Sequence, residues 1–187
     1  MQFLFSLKQS LSTWVIHHSV RVLYRLLPRP KSTCERGGLS IHTWCGTARG
    51  FERDWNHPQN WEEGKVPGPS SLVVIPTLTH HNYPNINQPV DDITALLIER
   101  QAELLISMFG ELRVDGQSHR LGGIQNMGEL NNFGELHVIN VADTCILNTG
   151  IILNHGFLSL DRSGCDGLLT DDHSFVNEGQ LIHLNPR

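Results

Sequence analysis

From Phe109 to Leu184 the chain repeats itself, and a repeat of nearly fixed length leaves few folds open. Phe109-Gly110-Glu111-Leu112-Arg113-Val114 returns 24 residues later as Phe133-Gly134-Glu135-Leu136-His137-Val138. Gly156-Phe157-Leu158-Ser159-Leu160 and Gly179-Gln180-Leu181-Ile182 continue the series. The turns repeat too. Asn126-Met127-Gly128 and Asn132-Phe133-Gly134 recur 22 residues on as Asn148-Thr149-Gly150 and Asn154-His155-Gly156, and Asn177-Glu178-Gly179 adds a further copy. Such a period marks a solenoid, in which each unit packs on its neighbours.

The interior of one unit decides which solenoid. Leu112 and Val114, Leu136 and Val138, and Leu158 and Leu160 are apolar positions two apart, separated by Arg113, His137 and Ser159. That alternation is strand periodicity, with one face buried and one wet. The 3.6-residue stripe of a helical repeat is missing. Asn-x-Gly punctuates the strands, and both residues tolerate the left-handed backbone expected at sharp corners. The predicted fold is all-β: a right-handed parallel β-helix of about 22–24 residues per coil and four to six coils. Leu112, Leu136, Leu158 and Leu181 should form one interior row, and Asn132, Asn154 and Asn177 a second, with their amides bonded from coil to coil. Outside, Glu111 should lie over Glu135 and Arg113 over His137.

The domain organisation predicted is a leader and linker over residues 1–40 and a solenoid over 41–187. In the leader, Phe3, Leu4, Leu7, Leu11, Trp14, Val15, Val22, Leu23, Leu26 and Leu27 fall on one side at helical spacing. A short amphipathic helix is expected there, covering the first coil, with a membrane-surface helix, favoured by its basic face, as the alternative. The opening residues lack the unbroken apolar core and small-residue cleavage site of a secretory signal. Pro28-Arg29-Pro30 ends the helix. With a net charge of −5 and no basic run, nucleic acid is not expected as a partner. No uncharged apolar stretch reaches the length of a membrane span. The four cysteines show no C-x-x-C spacing, and their positions allow Cys34–Cys45 or Cys145–Cys165 disulfides without deciding either.

Between these parts lies a distinctive block. Thr43-Trp44-Cys45-Gly46 is followed by Asp54-Trp55-Asn56 and Asn60-Trp61, then Val66-Pro67 and Leu72-Val73-Val74-Ile75-Pro76. This combination resembles the opening of β-helical modules in large secreted, adhesin-like cell-surface proteins of the Bacteroidetes type, and the resemblance runs from Thr43 to Leu184. It implies an extracellular or cell-surface location and a structural or adhesive role. Trp44, Trp55 and Trp61 are expected to cap the first coil; the alternative is a sugar-stacking platform.

Other parallel β-helices degrade pectin, so a polysaccharide-active enzyme is the alternative function. Its candidates are Asp171 and Asp172 with His155 nearby, and Asp143 with Asp166. Aligning the repeats places Asp171 where Asn126 and Asn148 stand, which makes Asp171-Asp172-His173 a degenerate Asn-x-Gly corner as well. His119, His137, His155 and His173 recur every 18 residues, out of step with the coil, and His80-His81 cannot aim both rings at one ion. Asp161, Asp166 and Asp171 lack the dense spacing of a calcium loop. No metal or cofactor is therefore expected. The predicted function is a non-catalytic extracellular structural or adhesion module that contacts carbohydrate or another surface protein. An uncovered coil end at Leu181 and Leu184 should dock on another copy, lie under a folded-back segment or continue in a longer chain.

Overall fold

A computed structural model describes residues 38–117, 122–161, 166–171 and 174–184. The expected N-terminal helix and the cysteines Cys34 and Cys165 lie outside the described residues, so neither disulfide pairing has both members within them. The chain enters through β1 (Ser40–Thr43), makes a 3₁₀ turn at Pro58–Asn60, and continues into β2 (Ser71–Ile75) and β3 (Asn85–Ile86). Four complete three-strand turns follow. The first comprises β4 (Ala95–Ile98), β5 (Glu103–Ile106) and β6 (Glu111–Asp115), the second β7 (Gly123–Asn126), β8 (Glu129–Asn132) and β9 (Glu135–Ile139). The third is β10 (Thr144–Asn148), β11 (Ile151–Asn154) and β12 (Phe157–Asp161), the fourth β13 (Asp166–Leu169), β14 (Phe175–Asn177) and β15 (Gln180–Leu184).

Corresponding strands of successive turns pair in parallel, giving three sheets ordered β1-β2-β4-β7-β10-β13, β3-β5-β8-β11-β14 and β6-β9-β12-β15. The protein is a parallel β-helix. Leu112 pairs with Leu136, Leu136 with Leu158 and Leu158 with Leu181, so the leucine row forms as expected. Val114, Val138 and Leu160 make a parallel inner row, which ends on the exposed His183. One apolar cluster runs from the tryptophans through Ile75, Ile86, Ile106 and Leu130 to Leu160.

Two rows of buried amides replace aliphatic side chains in the later turns. Asn132 Nδ2 donates to Asn154 Oδ1 (2.7 Å) and to the Phe157 carbonyl (3.0 Å); Asn154 Nδ2 donates to Asn177 Oδ1 (2.6 Å) and the Gln180 carbonyl (3.2 Å). In the second row Asn126 donates to Asn148 Oδ1 at 2.7 Å, and Asn148 to Thr170 Oγ1 at 2.9 Å. Each ladder begins beneath an isoleucine, Ile106 over Asn132 and Ile98 over Asn126. The buried Asn132 Oδ1 has no hydrogen-bond partner among the described residues, whereas Asn126 Oδ1, also beneath an isoleucine, accepts from Gly128 N–H at 3.2 Å.

The corner glycines have a different role from the one their sequence suggests. None of Gly128, Gly134, Gly150, Gly156 or Gly179 has a positive φ. They are needed for space: a Cβ on Gly134 would run into the carbonyl oxygen of Gly110, and one on Gly156 into that of Gly134. Successive turns approach too closely at the corners to admit a side chain.

At the N-terminal end of the described solenoid the three tryptophans close its core. Trp44 and Trp61 form an antiparallel bridge, their rings packing edge to face at 5.0 Å, and Trp55 meets Trp61 the same way at 4.8 Å. Trp44 Nε1 donates to the Asn82 carbonyl (2.7 Å) and Trp61 Nε1 to that of Trp55 (2.9 Å). The fully buried Asn60 ties the loop together by accepting from Ala48 N–H and donating to the Phe51 and Asp54 carbonyls. The first edges of the other two sheets are covered as well, by the Asp54–Asn85 bridge and by Pro89 and Ile93 bridging to Glu111 and Val114.

Candidate functional site

The outer face of the β6-β9-β12-β15 sheet and the corner before it bring exposed aromatic and charged side chains together. Strand alternation sends every second residue outward, and the parallel register stacks these residues in rows. Glu111, Glu135, Phe157 and Gln180 form one row, and Arg113, His137, Ser159 and Ile182 the next. At the corner, each residue preceding a tight glycine projects outward, so Phe109, Phe133, His155 and Glu178 occupy equivalent places. Phe109 is 78% exposed and Phe133 47%. The Phe133 ring stacks on His155 at 4.7 Å and 11°, and His155 Nδ1 reaches Glu178 Oε2 at 3.1 Å. A shallow groove of about 480 Å³ opens between Glu135, His155, Gly156, Phe157, Gly179 and Gln180.

Within this face three ligand-bearing side chains converge. His137 Nε2 lies 3.3 Å from Glu135 Oε2 and 4.0 Å from Glu111 Oε1, while its Nδ1 is 2.8 Å from Ser159 Oγ. Glu135 and His137 share a face because they are two apart on one strand, and Glu111 joins them by stacking on Glu135. Arg113, directly over His137, turns instead to Asp92 (Nε to Oδ2, 3.6 Å). No metal is expected from the sequence, because the histidines fall out of step with the coil, His80-His81 cannot aim both rings at one ion and the aspartates lack a calcium loop's spacing. None of these grounds bears on a histidine grouped with stacked glutamates. The group that forms is mixed, one histidine with carboxylates from two turns, and its signal was present in the outward Glu and His rows.

The other expected sites are placed differently. Trp44, Trp55 and Trp61 are 0–2% exposed, so they cap the core and offer no indole face to a sugar. Thr170, and not Asp171, takes the ladder position below Asn148; Asp171 is one residue further on and exposed, its carbonyl accepting from Ser174 N–H. Asp172, His119 and His173 lie outside the described residues. His155 pairs with Glu178 and Phe133, in the aromatic corner. Asp166 is registered with Thr144, one step off Asp143, so the coil period does not set that pair opposite one another. His80 and His81 sit in a turn, where His80 Nδ1 accepts from Asn82 N–H and the His81 ring meets Tyr83 edge to face.

No family model, curated protein or solved structure matches the chain.

Proposed function

We propose that this β-helix is a non-catalytic structural or adhesion module of an extracellular or cell-surface protein, and that it contacts carbohydrate along the outer face of β6, β9, β12 and β15. The observation carrying this reading is the exposed corner row of Phe109, Phe133 and His155 beside Glu111, Glu135, Arg113 and Gln180. Sugars present C–H faces that pack on aromatic surface and hydroxyls that donate directional hydrogen bonds to carboxylates and accept them from guanidinium and amide N–H groups. The row repeats at the strand spacing of about 4.8 Å, comparable to the advance per sugar of an extended polysaccharide. The same face is shallow and open, which suits contact along a chain better than enclosure of one scissile bond. The cell-surface part of the proposal rests on the resemblance of Thr43–Leu184 to adhesin-like modules.

A glycan-array screen, run beside a reducing-sugar release assay on acidic polysaccharides, tests the reading. Retention of an extended glycan is expected, with at least about a tenfold loss in the Phe109→Ala/Phe133→Ala double variant and no release of reducing ends. Release of reducing ends would favour the polysaccharide-active alternative. Failure to retain any glycan would overturn carbohydrate contact.

A further inference from the structure

We propose that Glu111, Glu135 and His137 form a binding site for a divalent transition-metal ion of the zinc class. Their ligand atoms all lie within 4.8 Å of one another, as two carboxylate oxygens and one imidazole nitrogen. This donor set suits zinc and its neighbours better than calcium, which takes oxygen alone. The histidine is what separates the group from an ordinary acidic patch. Its Nδ1 is held at 2.8 Å by Ser159 Oγ, and in the tautomer that donates Nδ1–H to Ser159 the Nε2 lone pair faces both carboxylates. Three electron-pair donors then point at one small volume, an arrangement that a cation stabilises. Metal-bound histidines are characteristically fixed in this way through the far ring nitrogen.

The guanidinium stacked over His137, that of Arg113, turns to Asp92 instead of to these carboxylates. Glu111 and Glu135 are stacked in register by the parallel pairing, which sets two like charges side by side on one face. His137 is half-buried between them, its side chain 24% exposed and its ring 5.5 Å from Phe157. Three ligands from two adjacent turns leave the remaining coordination positions towards solvent, where water completes the shell. The inference is independent of carbohydrate contact, since it needs only the ion.

Isothermal titration of the full chain with zinc chloride tests it, supported by thermal unfolding with and without a chelator. One saturable equivalent is expected, with a raised melting temperature that the chelator reverses. Glu135→Gln, Glu111→Gln and His137→Gln should each weaken this binding about tenfold or more, and Ser159→Ala, which loosens the ring without removing a ligand, severalfold. Glutamine keeps the size of each glutamate, and circular dichroism of the variants confirms that the coil is intact. His155→Ala and the His80→Ala/His81→Ala pair should bind as the parent does. The proposal is overturned if zinc shows no saturable site, if the glutamine variants bind undiminished, or if His155→Ala abolishes the binding instead.

Discussion

At the scale of single residues, the amide ladders show how a polar group becomes tolerable inside a dry core. Asn154 accepts from Asn132 and donates to both Asn177 and the Gln180 carbonyl, so its side chain is satisfied only because its neighbours are asparagines in register. Removing one member strands the others, and a buried amide left unpaired costs more than the bond itself. Asn154→Ala is expected to destabilise the protein by about 2–3 kcal/mol in urea unfolding. Asn177→Ala, at the exposed end of the same ladder, should cost less than about 1 kcal/mol; equal losses would remove burial as the explanation. The Asn132–Asn154–Asn177 ladder is legible from asparagines spaced one coil apart, whereas Asn126 and Asn148 read as corners and their ladder is not foreseen in the sequence. The starting points of both ladders are less legible, because nothing in Ile98 or Ile106 alone says that a ladder begins beneath it.

Elements follow the same logic, with a different limit on what the sequence discloses. Period-two alternation and the recurring Phe-Gly-Glu-Leu were enough to place the leucine row and the outward Glu and Arg/His rows. The corners were misjudged because glycine has two uses, positive φ and missing volume, and a sequence does not say which is in force. Here it is volume. Gly134→Ala should therefore cost at least about 3 kcal/mol, whereas Gly50→Ala, with φ +84 and open space around the added methyl, should cost about 1–2 kcal/mol. Chemical denaturation of the two variants checks the order. The slip that set Asp171 in place of Thr170 has a similar origin. Asn148 to Thr170 spans 22 residues and Asn154 to Asn177 spans 23, so the extra residue falls between β13 and β14. A count made back from Asn177 lands one position off. As for the Glu111–Glu135–His137 group, both rows were readable, but the turn of Arg113 towards Asp92 belongs to side-chain packing that no repeat pattern encodes.

Over the whole molecule, stability is spread along an axis. A turn with neighbours on both sides buries its inner row completely, as Leu136, Val138 and Leu130 show. In the last described turn the inner residues Leu168, Phe175 and Leu181 are only partly buried. Nearest-neighbour coupling then predicts a gradient of opening free energies. Native-state hydrogen exchange should find the amides of β8 and β9 markedly more protected than those of β14 and β15. Uniform protection along the axis would mean that the turns open as one unit.

The tryptophan closure has a stoichiometric consequence. With the first edges of two sheets bridged and β1 running into the Trp44–Trp61 bridge, pairing between copies falls to β13, β14 and β15, and two copies meeting through those strands would use both sets of edges. Such a union is two-fold symmetric and stops at a pair. A thread of copies would require an accepting surface where the indoles now sit.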